Sequence, residues 1–165
     1  MSSHLQKKPS SRARILIVED NSFVRESLVG LIDGQPDLIC CGEADSIAST
    51  PVAVEKCKPD VVLTDLRFKD GEAFELINFL ALGVSRPAIL VLSQLDEVLY
   101  AERALQVGAR GYLMKAEAAN ELLIALRTVL RGRVYLSPAM SVRLVQRVLK
   151  PGLKTEEAGN WSRTL

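Results

Sequence analysis

From Arg14 onward, short apolar runs alternate with longer segments in which apolar residues recur every three or four positions. The runs read as buried strands and the longer segments as helices with one inward face, a pattern that builds parallel sheets from repeated βα units. Ile15 to Val18 is the first strand, and Asn21 or Ser22 caps a helix whose Phe23, Val24, Leu28, Leu31 and Ile32 share a face, ending near Gly34 and Pro36. Leu38 to Cys41 is the second strand. Thr50 and Pro51 suit the cap and first position of a short helix to about Cys57, and Lys58-Pro59-Asp60 turns into strand Val61 to Leu63. A third helix over 73–82 turns Phe74, Ile77, Leu80 and Ala81 inward and stops at Gly83. Strand Ala88 to Leu92, helix 96–107 stopped by Gly108, strand Tyr112 to Met114 and helix 119–131, with Leu122, Leu126 and Val129 inward, complete five units.

The predicted architecture is therefore α/β, a doubly wound five-stranded parallel sheet in the order 2-1-3-4-5 over residues 14–132, with a flexible arm over 1–13. Ser137-Pro138 starts a further short helix over 139–149, and the remainder of 133–165 reads as linker. The 165 residues suffice for one domain, and 48% apolar with 25% charged residues excludes a disordered or fibrous chain. No apolar run approaches the roughly 20 residues needed to span a bilayer. The polar, basic start lacks an apolar signal core. Cys40, Cys41 and Cys57 are odd in number and without metal-ligand spacing; they read as small core residues, and a reducing cytoplasm fits them. The net charge of +1 conceals a basic end: Arg127, Arg131, Arg133, Arg143, Arg147, Lys150 and Lys154 fall in a stretch without one acidic residue. Without interleaved aromatics such cations are weak evidence for nucleic-acid binding.

In a doubly wound sheet, ligands gather beyond the carboxyl ends of the strands. There the sequence puts Glu19 and Asp20 after strand one, Asp65 after strand three, Ser93 after strand four and Lys115 after strand five. Three carboxylates, a hydroxyl and an ammonium converge on one rim. Hard oxygen ligands suit Mg²⁺, which keeps waters and holds a phosphate. A carboxylate is also a competent phosphoryl acceptor. Asp65, on the central strand, is the expected nucleophile; Glu19 and Asp20 hold the metal, Lys115 neutralises charge and Ser93 donates to a phosphoryl oxygen.

The runs Ile15-Leu16-Ile17-Val18-Glu19-Asp20-Asn21, Asp60-Val61-Val62-Leu63-Thr64-Asp65-Leu66, Val91-Leu92-Ser93 and Gly108-Ala109-Arg110-Gly111-Tyr112-Leu113-Met114-Lys115-Ala116, in that order, resemble the receiver domain of two-component response regulators. The resemblance implies a flavodoxin-like fold, phosphorylation of Asp65 by a sensor histidine kinase or phosphotransfer protein, and Mg²⁺ held also by the backbone carbonyl of Arg67. It implies a switch in which Ser93 moves toward the phosphoryl group and Tyr112 turns inward, reshaping the face of helix four, strand five and helix five, through which a homodimer is expected. Such a domain is a phosphoacceptor that assists its own chemistry and is not an enzyme with a separate substrate. The chain departs from the family at Lys69 and Ala73, where Pro and Gly are frequent, and at Gln94, where a small residue is usual. The stretch from Tyr112 to Pro138 is similar to receivers that precede a LuxR-type helix-turn-helix, so DNA contact is expected only through a domain beyond this chain.

Two other readings compete. One is a pseudo-receiver, the same fold used only as an interaction or dimerisation module. The other is a small Mg²⁺-dependent phosphohydrolase, disfavoured because Arg67 stands where a second Asp would serve as acid/base. His4 and Trp161 carry no assigned role.

Overall fold

The computed structural model describes residues 11–95 and 98–150, so residues 1–10 of the expected 1–13 arm and the stretch holding Lys154 and Trp161 lie outside the described residues, while Ala13, the last residue of that arm, already belongs to a strand. Five strands form the expected sheet core: β1 (Ala13–Val18), β2 (Leu38–Ala44), β3 (Val61–Thr64), β4 (Ala88–Ser93) and β5 (Gly111–Met114). The sheet is six-stranded, not five: β6 (Tyr135–Leu136) pairs in parallel with β5, giving the order β2-β1-β3-β4-β5-β6. Two residues are too short for periodicity to register as a strand.

The central strands β1, β3 and β4 are apolar on both faces because helices cover both sides of a parallel sheet. Leu16, Val18, Val62, Ile89 and Val91 join one apolar layer with α2 (Thr50–Cys57), α3 (Phe74–Leu82) and α4 (Val98–Gln106). Ile15, Ile17, Val61, Leu63, Leu90 and Leu92 join the other with α1 (Ser22–Asp33) and α5 (Ala118–Leu130). A final helix, α6 (Pro138–Val148), lies against α4.

Several local expectations are corrected. Phe23 is 81% exposed, and Leu28 and Ile32 alone are buried on α1. Asn21 is the α1 cap, its side chain accepting from the Phe23 and Val24 amides. The α2 cap is Ser49, not Thr50; the Thr50 hydroxyl instead donates back to the Ser46 carbonyl. Beyond β3 the chain makes an unexpected antiparallel ribbon, Arg67–Phe68 with Gly71–Glu72, whose turn uses Gly71 at φ +134°.

The cysteine reading is also corrected, because Cys41 and Cys57 form a disulfide. The β1–β2 ladder slips there: Ile15 faces Cys40 and Leu16 faces Gly42, leaving Cys41 as the extra residue of a bulge. As successive strand residues, Cys40 packs on the α1 side of the sheet and Cys41 on the α2 side, within reach of Cys57. The closed loop spans 16 residues. For such a loop reduction is expected to cost about 3 kcal/mol, a fall in Tm of roughly 6–12 °C for a chain of this size. Melting with and without reductant measures it, with Cys41→Ser, already lacking the bond, expected to be insensitive to reductant.

Tyr135 supplies a pH dependence. It is buried on β6 and its hydroxyl donates to Glu121 on α5 at 2.8 Å. Burial first, then the Glu121 hydrogen bond, raise its pKa above the ordinary value of 10.0. The folded state therefore holds this proton where the unfolded chain has lost it, so stability is full below pH 10.0 and declines above it. The limiting slope is about 1.4 kcal/mol per pH unit. Urea titrations at alkaline pH are expected to be flatter for Tyr135→Phe than for wild type.

Candidate functional site

The strand ends align because the ladders are in register: Val18 pairs with Thr64 across β1 and β3, Thr64 with Val91 across β3 and β4, and Ser93 with Met114 across β4 and β5. Each candidate side chain follows directly from, or ends, one of these strands. Glu19, Asp20 and Asp65 each offer a carboxylate oxygen within 4.8 Å of the others. Lys115 closes the group, its Nζ lying 2.7 Å from Asp65 Oδ2 and 3.0 Å from Glu19 Oε2. The structure thus brings four of the predicted residues together.

The backbone fixes these groups. Asp65 Oδ1 accepts from the Leu66 amide at 2.6 Å, and Glu19 Oε1 accepts from the Asn21 amide at 3.2 Å. The Asp65 amide donates to the Val18 carbonyl, and the Glu19 amide to the Ala44 carbonyl, so both main-chain positions are rungs of the sheet. Glu19 is only 2% exposed, and this burial raises its pKa above the usual carboxylate value, against the Lys115 and Asn21 hydrogen bonds that lower it. Burial alone would lower the Lys115 pKa, but hydrogen bonds to Asp65 and Glu19 outweigh it and the pKa is raised. The lysine is held as a cation between two carboxylates.

This donor set fits a hard divalent cation: three carboxylate oxygens within reach of one ion, and one compensating ammonium that touches two of them. Arg67, whose carbonyl is the expected fourth protein ligand, lies in the ribbon just beyond Asp65, bridged to Glu72.

Ser93 and Tyr112 sit deeper, each 1% exposed. Both hold Leu95: the Ser93 hydroxyl accepts from its amide at 3.0 Å, and the Tyr112 hydroxyl donates to its carbonyl. Tyr112 is therefore already inward here. Gln94, between them in sequence, is exposed.

Several side-chain contacts near the site went unread in the sequence. The Asp70 carboxylate accepts from the Ile47 and Ala48 amides at 3.3 and 3.2 Å, tying the turn after Asp65 to the β2–α2 loop. Arg67 Nη2 donates to the Tyr100 hydroxyl on α4 at 2.9 Å, and Glu72 pairs with Arg103, also on α4. Arg25 Nη1 donates to the Glu19 carbonyl at 2.7 Å. No local spacing signals contacts that span such separations.

Residues 15–127 match the model of the response regulator receiver domain. The chain belongs to the response regulator receiver family. Its curated relatives include the response regulator GacA of Pseudomonas protegens, 29% identical over 84% of this chain and 65% of that protein. The transcriptional regulatory protein LiaR of Bacillus subtilis is 30% identical over 84% of this chain and 66% of that protein. The oxygen regulatory protein NreC of Staphylococcus aureus is 33% identical over 80% and 61%. The receiver spans just under two thirds of the length of these relatives. Among solved structures, a LuxR-family response regulator from Aurantimonas sp. SI85-9A1 superposes with a TM-score of 0.79 at 26% identity, covering 85% of this chain and all of that one. The receiver of a NarL response regulator from Mycobacterium tuberculosis gives 0.70 at 26%, covering 74% and 99%. The LuxR-type subgroup read from the sequence is supported by these relatives.

Proposed function

We propose that this receiver takes a phosphoryl group onto Asp65 from a phosphohistidine of a sensor kinase or phosphotransfer protein and passes the change to a transcriptional output. The observation that carries the proposal is the Glu19–Asp20–Asp65 cluster with Lys115 bonded to two of its carboxylates. An Asp65 carboxylate oxygen attacks phosphorus as the bond to the donor nitrogen breaks, leaving an acyl phosphate and a neutral imidazole once a proton is taken up. The Leu66 amide orients one Asp65 oxygen, and the Lys115 ammonium, now beside the other, is placed to neutralise the incoming charge. The Ser93 hydroxyl would exchange its Leu95 amide contact for a phosphoryl oxygen. Glu19, Asp20, Asp65 and the Arg67 carbonyl would hold Mg²⁺, which when bound supplies further neutralisation of phosphoryl charge. The receiver turns over no separate substrate in this reading.

A transcriptional output is supported by relatives named as transcriptional regulators, with DNA contact assigned to sequence outside the receiver. Among the described residues no helix is long and apolar enough to cross a membrane. The cytoplasm is the proposed compartment, and there a reducing pool would keep the Cys41–Cys57 pair largely as thiols.

The test is the intact mass after incubation with Mg²⁺ and acetyl phosphate. One base-labile adduct is expected on wild type, dependent on Mg²⁺ and missing from Asp65→Asn. No adduct on wild type, together with failure to bind beryllium fluoride, would overturn the proposal.

A further inference from the structure

The surface through which pairing is expected, that of α4, β5 and α5, is occupied along its α4 and β5 side by the chain's own continuation. β6 takes the hydrogen-bonding edge of β5, with Gly111 opposite Tyr135 and Tyr112 opposite Leu136. Tyr135 reaches across to Glu121 on α5, and the Arg133 amide donates to the Thr128 carbonyl at the end of that helix. α6 then returns over α4. Its inward residues Met140 and Leu144 belong to the same apolar cluster as Ala101, Ala104 and Tyr112, and Met140 is 4% exposed. Arg147 Nε donates to Glu102 on α4, an ion pair with both side chains largely covered. The cover is thus fastened to three elements by a sheet ladder, two apolar anchors, a buried phenol and an ion pair.

The opposite flank of α4 is held by the loop that follows Asp65. Arg67 binds the Tyr100 hydroxyl and lies over its ring at 5.5 Å, Glu72 pairs with Arg103, and the Arg103 guanidinium lies 4.0 Å from the Phe74 ring. α4 therefore stands between the phosphoacceptor loop and the C-terminal helix, gripped by charged side chains on both sides. Its start follows Leu95, the residue that Ser93 and Tyr112 hold. A shift of α4 cannot leave both sets of contacts intact, because packed surfaces switch between arrangements more readily than they stretch.

We propose that residues 133–149 are a built-in cover for the α4–β5 side of this face, seated in the unphosphorylated protein and loosened through α4 when Asp65 is phosphorylated. A second copy, or any other partner of that side, must displace it. The release step rests on the proposed phosphorylation; the cover itself does not.

Hydrogen exchange of the full chain, followed by mass spectrometry, separates the two. In wild type the 138–148 peptide is expected to exchange much more slowly than an unstructured peptide. Arg147→Glu is expected to speed it at least about tenfold, and Glu102→Arg combined with Arg147→Glu to restore protection, with β1 and β3 unchanged throughout. An unprotected α6 in wild type, or one indifferent to Arg147→Glu, overturns the cover. Because the ion pair lies between α6 and α4, away from the strands, these variants leave the sheet core intact. With acetyl phosphate and Mg²⁺, the adduct mass is read in the same sample. Faster exchange of 133–149 in the phosphorylated fraction supports release, and unchanged protection in a sample carrying the adduct overturns it. A sample without adduct counts against phosphorylation, and the cover is then still decided by the Arg147 and Glu102 variants.

Discussion

Lys115→Ala is expected to slow Asp65 phosphorylation by on the order of 10²–10³-fold, the cost of removing one fixed charge-stabilising donor from a transfer site. Lys115 is bonded to Asp65 and to Glu19, and Asp20 is the third carboxylate of the cluster. Without it the phosphoryl oxygens arrive beside carboxylates with one less positive charge to meet them, and little other than positioning and charge cancellation is available to lower this barrier. A second consequence follows for Glu19. Its pKa is raised by burial and held back by the Lys115 hydrogen bond, so losing that bond raises it further. Rates of adduct formation by quenched-flow mass spectrometry measure the effect. A rate within about threefold of wild type would show that Lys115 does not act on the reacting charge.

Gly108→Ala is expected to destabilise the fold by about 3–5 kcal/mol, adding backbone strain to overpacking. Gly108 follows α4 at φ +119°, where side chains are rarely tolerated, and a Cβ there would stand 2.4 Å from the Ala81 Cβ on α3. Neither methyl group can rotate away. Against total stabilities of about 5–15 kcal/mol this is a large share. Gly30 on α1 is the control: a Cβ there meets nothing within 4 Å, and Gly30→Ala is expected to stabilise by about 0.4–1 kcal/mol. Urea denaturation of both variants measures the contrast.

The parts of this molecule legible in the sequence are those written in local pattern. Of the four strands that end at the site, β1, β3 and β4 are apolar on both faces, so short unbroken runs located them, and the chemistry sits where such runs end. Asp65 and Lys115 were readable because each follows a strand directly, even though 50 residues separate them. Phe23 misled because it is apolar and stands at the start of the helix, although it lies roughly 140° and 180° around the axis from Leu28 and Ile32 and so falls off their buried face. β6 and the Arg67–Glu72 ribbon are two residues to a strand and carry no period. The Cys41–Cys57 pairing was hidden because it joins a strand to a helix 16 residues on, and an odd, closely placed set of three cysteines carries no local sign of which two meet. The grips of Arg67, Asp70 and Arg147 on distant elements are tertiary facts, visible only once the chain is folded.

The registered ladder beneath the acidic cluster has one further consequence. Glu19 and Asp65 leave adjacent central strands from neighbouring rungs, with their amides bonded to Ala44 and Val18. Their separation is a repeat distance of the sheet itself, about 4.8 Å between strands, and owes nothing to the loops above. Loops after β2 and β3 can therefore lengthen or change composition while the spacing of the two acids stays as it is. What such drift alters is who can approach the acids, so a lineage of proteins built on this sheet is free to change correspondents while keeping one chemistry.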